Sequence, residues 1–225
     1  MASSPSYNPN LVENHFEKID KVTANCRPAA PLINRATQGL YAPGSTFKVV
    51  TTSAALESNR FTPDSTFYDP GYCTVYGKRV NNFDTSSPFG NVTLAQGLQH
   101  SVNSVFCNIG KALGAKRILD QAKKFGFYER PPLETPDGER YPSGLYRNHE
   151  LWYPARDQDV DAGRMAFGQE RMLVTPLQMA MVAAGIGNAG IVIKPWVVAK
   201  ILSPAGNTLS RTRPERLSRA IGPVN

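Results

Sequence analysis

Positions 45–56, STFKVVTTSAAL, constrain the fold more than any other part of the chain. The segment follows a Pro43-Gly44 break and reads as one helix with Ser45 in its first turn. Phe47, Val49, Val50, Ala54, Ala55 and Leu56 cover most of its circumference. A helix with so little polar face has to be enclosed by the rest of the molecule. With 225 residues, 41% of them hydrophobic, the chain is long enough to enclose it. Lys48 is the exception on that helix, because its amine falls within the apolar surface.

Several other helices are predicted to form the enclosure. Positions 11–20 read as a short helix behind a turn-rich start holding Pro5 and Pro9. A helix starts at Thr93, capped by Asn91 or Thr93, and runs towards His100. Positions 104–113 form another that stops at Gly114, and positions 116–125 a third that stops at Gly126 with lysines in its last turn. Positions 175–186 carry Thr175 as N-cap and Pro176 at the first helical position. Strand signals are weaker. A small hairpin is expected from Cys73 to Tyr76 and around Val80, and a strand over 196–202 with a return at 208–210. Positions 130–161, rich in proline and charge, read as the longest coil.

Composition excludes several function classes. The net charge is +7, but the densest basic cluster, Arg211, Arg213, Arg216 and Arg219, has no interleaved aromatics, so nucleic acid is not an expected partner. No run reaches ~18 apolar residues, the length that a membrane-spanning helix needs. Cys26, Cys73 and Cys107 are widely spaced, and neither C-x-x-C nor H-x-x-x-H occurs, so no structural metal is expected. One disulfide with a free thiol and three buried thiols both remain open. There is no G-x-S-x-G elbow, and the Gly39 to Ser45 loop has P-loop glycine spacing without its lysine. His15, His100 and His149 stand in unrelated contexts.

Two short patterns carry chemistry. At i and i+3 on a helix, Ser45 and Lys48 share a face, with Cβ atoms ~5–6 Å apart. A desolvated lysine loses proton affinity and can accept a proton near neutral pH, and a serine hydroxyl needs such a partner to attack a carbonyl. A capping serine beside a snorkelling lysine is the ordinary alternative. Ser101-Val-Asn103 lies where one helix ends and another begins, so its hydroxyl and amide can turn into a cleft, or simply cap the second helix.

Taken together, the motifs resemble the penicillin-binding protein transpeptidase family. Pro43-Gly-Ser-Thr-Phe-Lys48 and Ser101-Val-Asn103 match its first two motifs. Asn34-Arg-Ala36, Ala166-Phe-Gly-Gln169, Val174-Thr-Pro-Leu-Gln-Met179 and Ser4-Pro-Ser-Tyr-Asn-Pro-Asn10 fall in the order that the class B members show, with an actinobacterial flavour. The resemblance implies an α+β fold: an antiparallel sheet flanked by helices, plus an all-helical lobe, with the site between them. It implies catalytic roles for Ser45 as acylated nucleophile, Lys48 as general base and Ser101 as proton shuttle, and substrate binding by Asn103. The backbone N–H of Ser45 and one strand N–H would form the oxyanion hole.

The family's third motif, Lys-Thr-Gly or Lys-Ser-Gly, is missing from these 225 residues. Residues 1–225 are therefore expected to be a partial transpeptidase domain. The N-terminal anchor, the pedestal, the first core strands and the C-terminal strands are expected to lie outside it, which would leave an apolar face of the Ser45 helix uncovered and, for these residues alone, give poor autonomous stability. Losing one oxyanion donor costs on the order of 10²–10³ in rate. The implied partners are peptidoglycan stem peptides, β-lactam antibiotics and membrane proteins of the division or elongation machinery. No cofactor is implied, and the compartment would be the extracytoplasmic face of the cell membrane, where a disulfide is feasible. A non-catalytic β-lactam sensor or scaffold, and a same-fold D,D-carboxypeptidase or β-lactamase, are the competing readings.

Overall fold

The computed structural model describes residues 3–24, 27–28, 30–84 and 87–223. The chain begins with α1 (Val12–Asp20) and the short pair β1 (Thr23–Ala24) and β2 (Arg27–Pro28). A 3-10 turn, Gly44–Phe47, runs directly into α2 (Lys48–Glu57). Four strands follow: β3 (Thr66–Asp69), β4 (Tyr72–Val75), β5 (Lys78–Asn81) and β6 (Gly90–Thr93). They lead to α3 (Leu94–Gln99), α4 (Asn103–Leu113) and α5 (Ala115–Lys124). Next come β7 (Gly144–Arg147), β8 (Glu150–Leu151), α6 (Ala162–Ala166), β9 (Met172–Leu173) and α7 (Pro176–Gly187). The last strands are β10 (Ile191–Ile193), β11 (Lys200–Leu202), β12 (Thr208–Arg211) and β13 (Arg216–Arg219). All strand pairs of the described residues are antiparallel, in ribbons of two or three strands, which with the seven helices gives the expected α+β class.

The apolar helix lies at the centre, as its pattern requires. Phe47, Val50 and Ala55 have no exposed surface, and α4 and α5 close over them with Val105, Phe106, Ile109, Ile118, Leu119 and Ala122. Phe47 meets Phe127 edge to face at 5.9 Å. Burying each large apolar side chain contributes roughly 1.5–3 kcal/mol. The polar groups of α2 are satisfied internally: Thr51 Oγ1 donates to Ala166 O of α6 at 2.8 Å. The fit of α4 on α6 leaves no room for a side chain at Gly110, where a Cβ would lie 2.2 Å from Ala162 O.

Caps and turns follow the sequence where their chemistry is local. Thr93 caps α3 in a capping box with Gln96, and Thr175 caps α7 ahead of Pro176. The hairpin expected near Cys73 forms as β4–β5, turning at Tyr76 (φ 48°) and Gly77 (φ 71°). Cys73 and Cys107 are both buried and free, and Cys26 lies outside the described residues.

Two expectations are corrected, and one strand was not anticipated. Residues 130–161 are not one coil, because β7 and β8 form a hairpin there, turning at Asn148 (φ 53°) and His149 (φ 66°). Two central residues at positive φ suit the right-handed strand twist, but the flanking charges, Arg147 opposite Glu150, hide the strand pattern. The unanticipated strand is β3, which pairs with β6 from Thr66 opposite Thr93 to Asp69 opposite Gly90, a contact that no local signal announces. The strand over 196–202 is confined to β11, since only Lys200–Leu202 finds a partner, in β12.

Candidate active site

The break at Pro43-Gly44 makes Ser45 accessible. Gly44 adopts φ 55° and its N–H donates to Gly168 O at 3.0 Å. The Thr46 hydroxyl donates to Pro43 O at 2.8 Å, which tightens the turn. The expected single helix over 45–56 is in fact a 3-10 turn up to Phe47 followed by α2, so Ser45 and Lys48 are one 3-10 turn apart. Ser45 is exposed, whereas Lys48 is 1% exposed.

Lys48 ends in a small polar enclosure. Its Nζ donates to Ser101 O (2.6 Å), Ser101 Oγ (2.9 Å) and Asn103 Oδ1 (2.8 Å), and sits 5.4 Å from the Phe106 ring centre. Burial pulls its pKa from 10.5 to about 8. Three acceptors match the three donors of the ammonium form, so deprotonation frees one position on Nζ. No hydrogen bond joins Ser45 Oγ to Lys48 among the described residues.

Ser101 reaches Lys48 through the way α3 ends. Ser101 N–H donates to Leu98 O (3.1 Å) and Val102 N–H to Gly97 O (2.8 Å), a Schellman motif with His100 as C-cap. The residue after the C-cap takes the left-handed conformation, normally a glycine position, and here Ser101 holds φ 55°. That costs a non-glycine residue roughly 1–2 kcal/mol. Such strain is found where surrounding contacts enforce it, often at functional sites. Asn103 opens α4. Its Nδ2 donates to Asn81 O at 3.0 Å while its Oδ1 accepts from Lys48, which leaves one N–H and one lone pair for a further partner. Neither Ser101 nor Asn103 caps α4, whose N-cap is Val102 with no side-chain bond, so the capping alternative fails.

The structure thus brings Lys48, Ser101 and Asn103 together, with Ser45 one turn away at the surface. Sequence reasoning missed the supports. Asn81 fixes the Asn103 carboxamide, and Gly168 (φ 79°) lies so close to the serine turn that a Cβ there would be 1.9 Å from Gly44 O. The only signal for Gly168 was the Ala166-Phe-Gly-Gln169 block, and its packing on Gly44 was not readable from it.

Chemically, an exposed serine one turn from a buried lysine of lowered pKa suits acyl transfer through a serine ester. The comparisons place the chain accordingly. Residues 1–220 match the family description "Penicillin binding protein transpeptidase domain", and the chain belongs to this family. It is 32% identical to peptidoglycan D,D-transpeptidase PbpA of Mycolicibacterium smegmatis, over 99% of this chain and 45% of that protein. It is 28% identical to peptidoglycan D,D-transpeptidase MrdA of Escherichia coli, over 88% of this chain and 31% of that protein. The chain therefore spans less than half the length of these curated relatives. Among solved structures, the penicillin G acyl-enzyme complex of penicillin-binding protein A from M. tuberculosis superposes with TM-score 0.82 at 30% identity, over 99% of this chain and 50% of that one. The D,D-transpeptidase domain from Eggerthella lenta gives TM-score 0.80 at 28% identity, covering 100% and 54%.

Proposed function

We propose that the chain is the part of a peptidoglycan D,D-transpeptidase that carries the nucleophile. The observation behind this reading is the Lys48 amine, buried in an apolar helix, lowered to about 8 and held by Ser101 and Asn103 one turn from exposed Ser45. Ser45 Oγ attacks the carbonyl between the last two D-alanines of a stem peptide, and its proton passes to neutral Lys48 Nζ. The C–N bond breaks, and D-alanine leaves carrying a proton relayed through Lys48 and Ser101. The ester on Ser45 is then attacked by the amine of a second stem peptide, which restores the hydroxyl. Asn103 holds the substrate amide with its remaining N–H. A β-lactam follows the first half of this path and stops at the ester. The reaction belongs at the extracytoplasmic face of the cell membrane, next to the membrane proteins of division or elongation.

The test is turnover by the full-length protein. Given a D-Ala-D-Ala pentapeptide and an acceptor amine, it should release D-alanine and form cross-linked product, and Ser45→Ala should do neither. Release of D-alanine without cross-linking would point instead to a carboxypeptidase, and equal turnover by Ser45→Ala would refute the assignment.

A further inference from the structure

Helix α4 begins without a cap of its own, because Val102 offers no side-chain acceptor. The first N–H groups of a helix need acceptors, and the Ser104 N–H finds its own in a distant part of the chain. Asn82, just past β5, accepts the Ser104 N–H at Oδ1 (3.2 Å) and donates from Nδ2 to both oxygens of Asp69 (2.9 Å each). Asp69 Oδ1 also accepts from the Ser104 hydroxyl (2.5 Å) and the Gly71 N–H (2.8 Å), and its Oδ2 from the Phe89 N–H (3.0 Å).

Asp69 has no exposed surface, and no lysine or arginine pairs with it among the described residues. A buried carboxylate is costly unless it is fully hydrogen-bonded. Burial pushes its pKa up, but the hydrogen bonds from Ser104, the Phe89 N–H, Asn82 and the Gly71 N–H outweigh burial and hold it below the usual range. It is an anion at the N-terminus of α4, where the helix dipole favours one. Its partners flank Asn103 on both sides. Ser104 is the next residue in α4, and Asn82 follows Asn81, whose carbonyl accepts from the Asn103 amide.

We infer that Asp69 is the positioning residue that sets the Ser101–Asn103 turn against Lys48. It touches neither Ser45 nor Lys48 and acts through Asn82 and Ser104. The inference deepens the acyl-transfer reading and rests on it for the catalytic consequence. Replacing one carboxylate oxygen with an NH2 group sets a donor against the Asn82 amide and either the Phe89 N–H or the Gly71 N–H and Ser104 hydroxyl. The chain keeps its volume there, but the turn loses its anchor.

The test uses the full-length protein, Asp69→Asn, and Asp69→Asn combined with Asn82→Asp, which restores a carboxylate–carboxamide pair. Two quantities are read: the rate of Ser45 acylation by a fluorescent penicillin, and amide hydrogen exchange over residues 79–83 and 100–106. Asp69→Asn should keep its circular dichroism, exchange those two segments about tenfold faster, and acylate about 10²-fold more slowly, as expected when a catalytic group is displaced by ~1 Å. The double variant should regain at least about tenfold of that rate, which general destabilisation would not allow. Unchanged exchange in both segments overturns the inference whatever the enzyme does, and so does an unchanged acylation rate. A wild-type protein that is never acylated refutes the acyl-transfer reading alone, and the exchange data still decide on Asp69. If Asp69→Asn does not fold, Ser104→Ala, which removes a single hydrogen bond to Asp69, takes its place in both measurements.

Discussion

The pH dependence of acylation follows from where Lys48 sits. In the proposed reaction its amine must be neutral to take the Ser45 proton, and burial places its pKa at about 8. At that value the neutral fraction is roughly 1% at pH 6, 10% at pH 7, half at pH 8 and 90% at pH 9. At the unperturbed value of 10.5 it would be only ~0.03% at pH 7, so burial raises the population of competent base about 300-fold. The second-order rate constant for acylation by a fluorescent penicillin should rise about tenfold from pH 6 to 7, about fivefold from 7 to 8, and less than about twofold from 8 to 9. Stopped-flow or quenched-gel labelling of the full-length protein across pH 5.5–9.5 reads this directly. A profile that is flat from 6 to 8, or half-maximal below pH 7, would refute Lys48 as the base.

Other consequences follow from the same geometry. Unfolded Lys48 holds its proton up to ~10.5 while the native amine releases it near 8, so between these values the unfolded state binds more protons and stability gains with rising pH. Urea unfolding should therefore show wild type gaining on Lys48→Met by up to about 3 kcal/mol from pH 7.5 to 10.5, and no change in that difference would contradict the buried amine. Gly168→Ala puts a Cβ 1.9 Å from Gly44 O at φ 79°, so it should destabilise by about 2–4 kcal/mol and slow penicillin labelling with it. Gly110→Ala pries α4 from α6 and should cost about 1–3 kcal/mol in the same unfolding assay, with intact labelling at low temperature. Thr175→Ala removes the cap on α7 and should cost about 1 kcal/mol, seen as a small drop in Tm.

The parts legible in the sequence are those encoded locally. The apolar pattern of 45–56 places α2 in the core, and Thr93, Thr175 and Pro176 fix helix starts because capping depends on residues three or four positions apart. Ser45, Lys48, Ser101 and Asn103 were legible as short motifs, and the order of six blocks tied them to one family. What escaped depends on contacts distant in sequence. Asp69 meets Ser104 across 35 positions, and Gly168 meets Gly44 across more than a hundred. The left-handed Ser101 also escaped, because the residue after a helix C-cap is expected to be glycine, and its contact with Lys48 spans 53 positions. The β7–β8 hairpin was hidden by its Asn148-His149 turn, which lacks the glycine that usually marks such a turn.

The most direct test of the account is the mass of the protein after exposure to penicillin G. The full-length wild type should gain one intact penicillin, carried on the peptide that contains Ser45, and Ser45→Ala should gain nothing. An adduct mapped to any other residue, an equal adduct on Ser45→Ala, or no adduct on the full-length wild type would contradict Ser45 as the nucleophile.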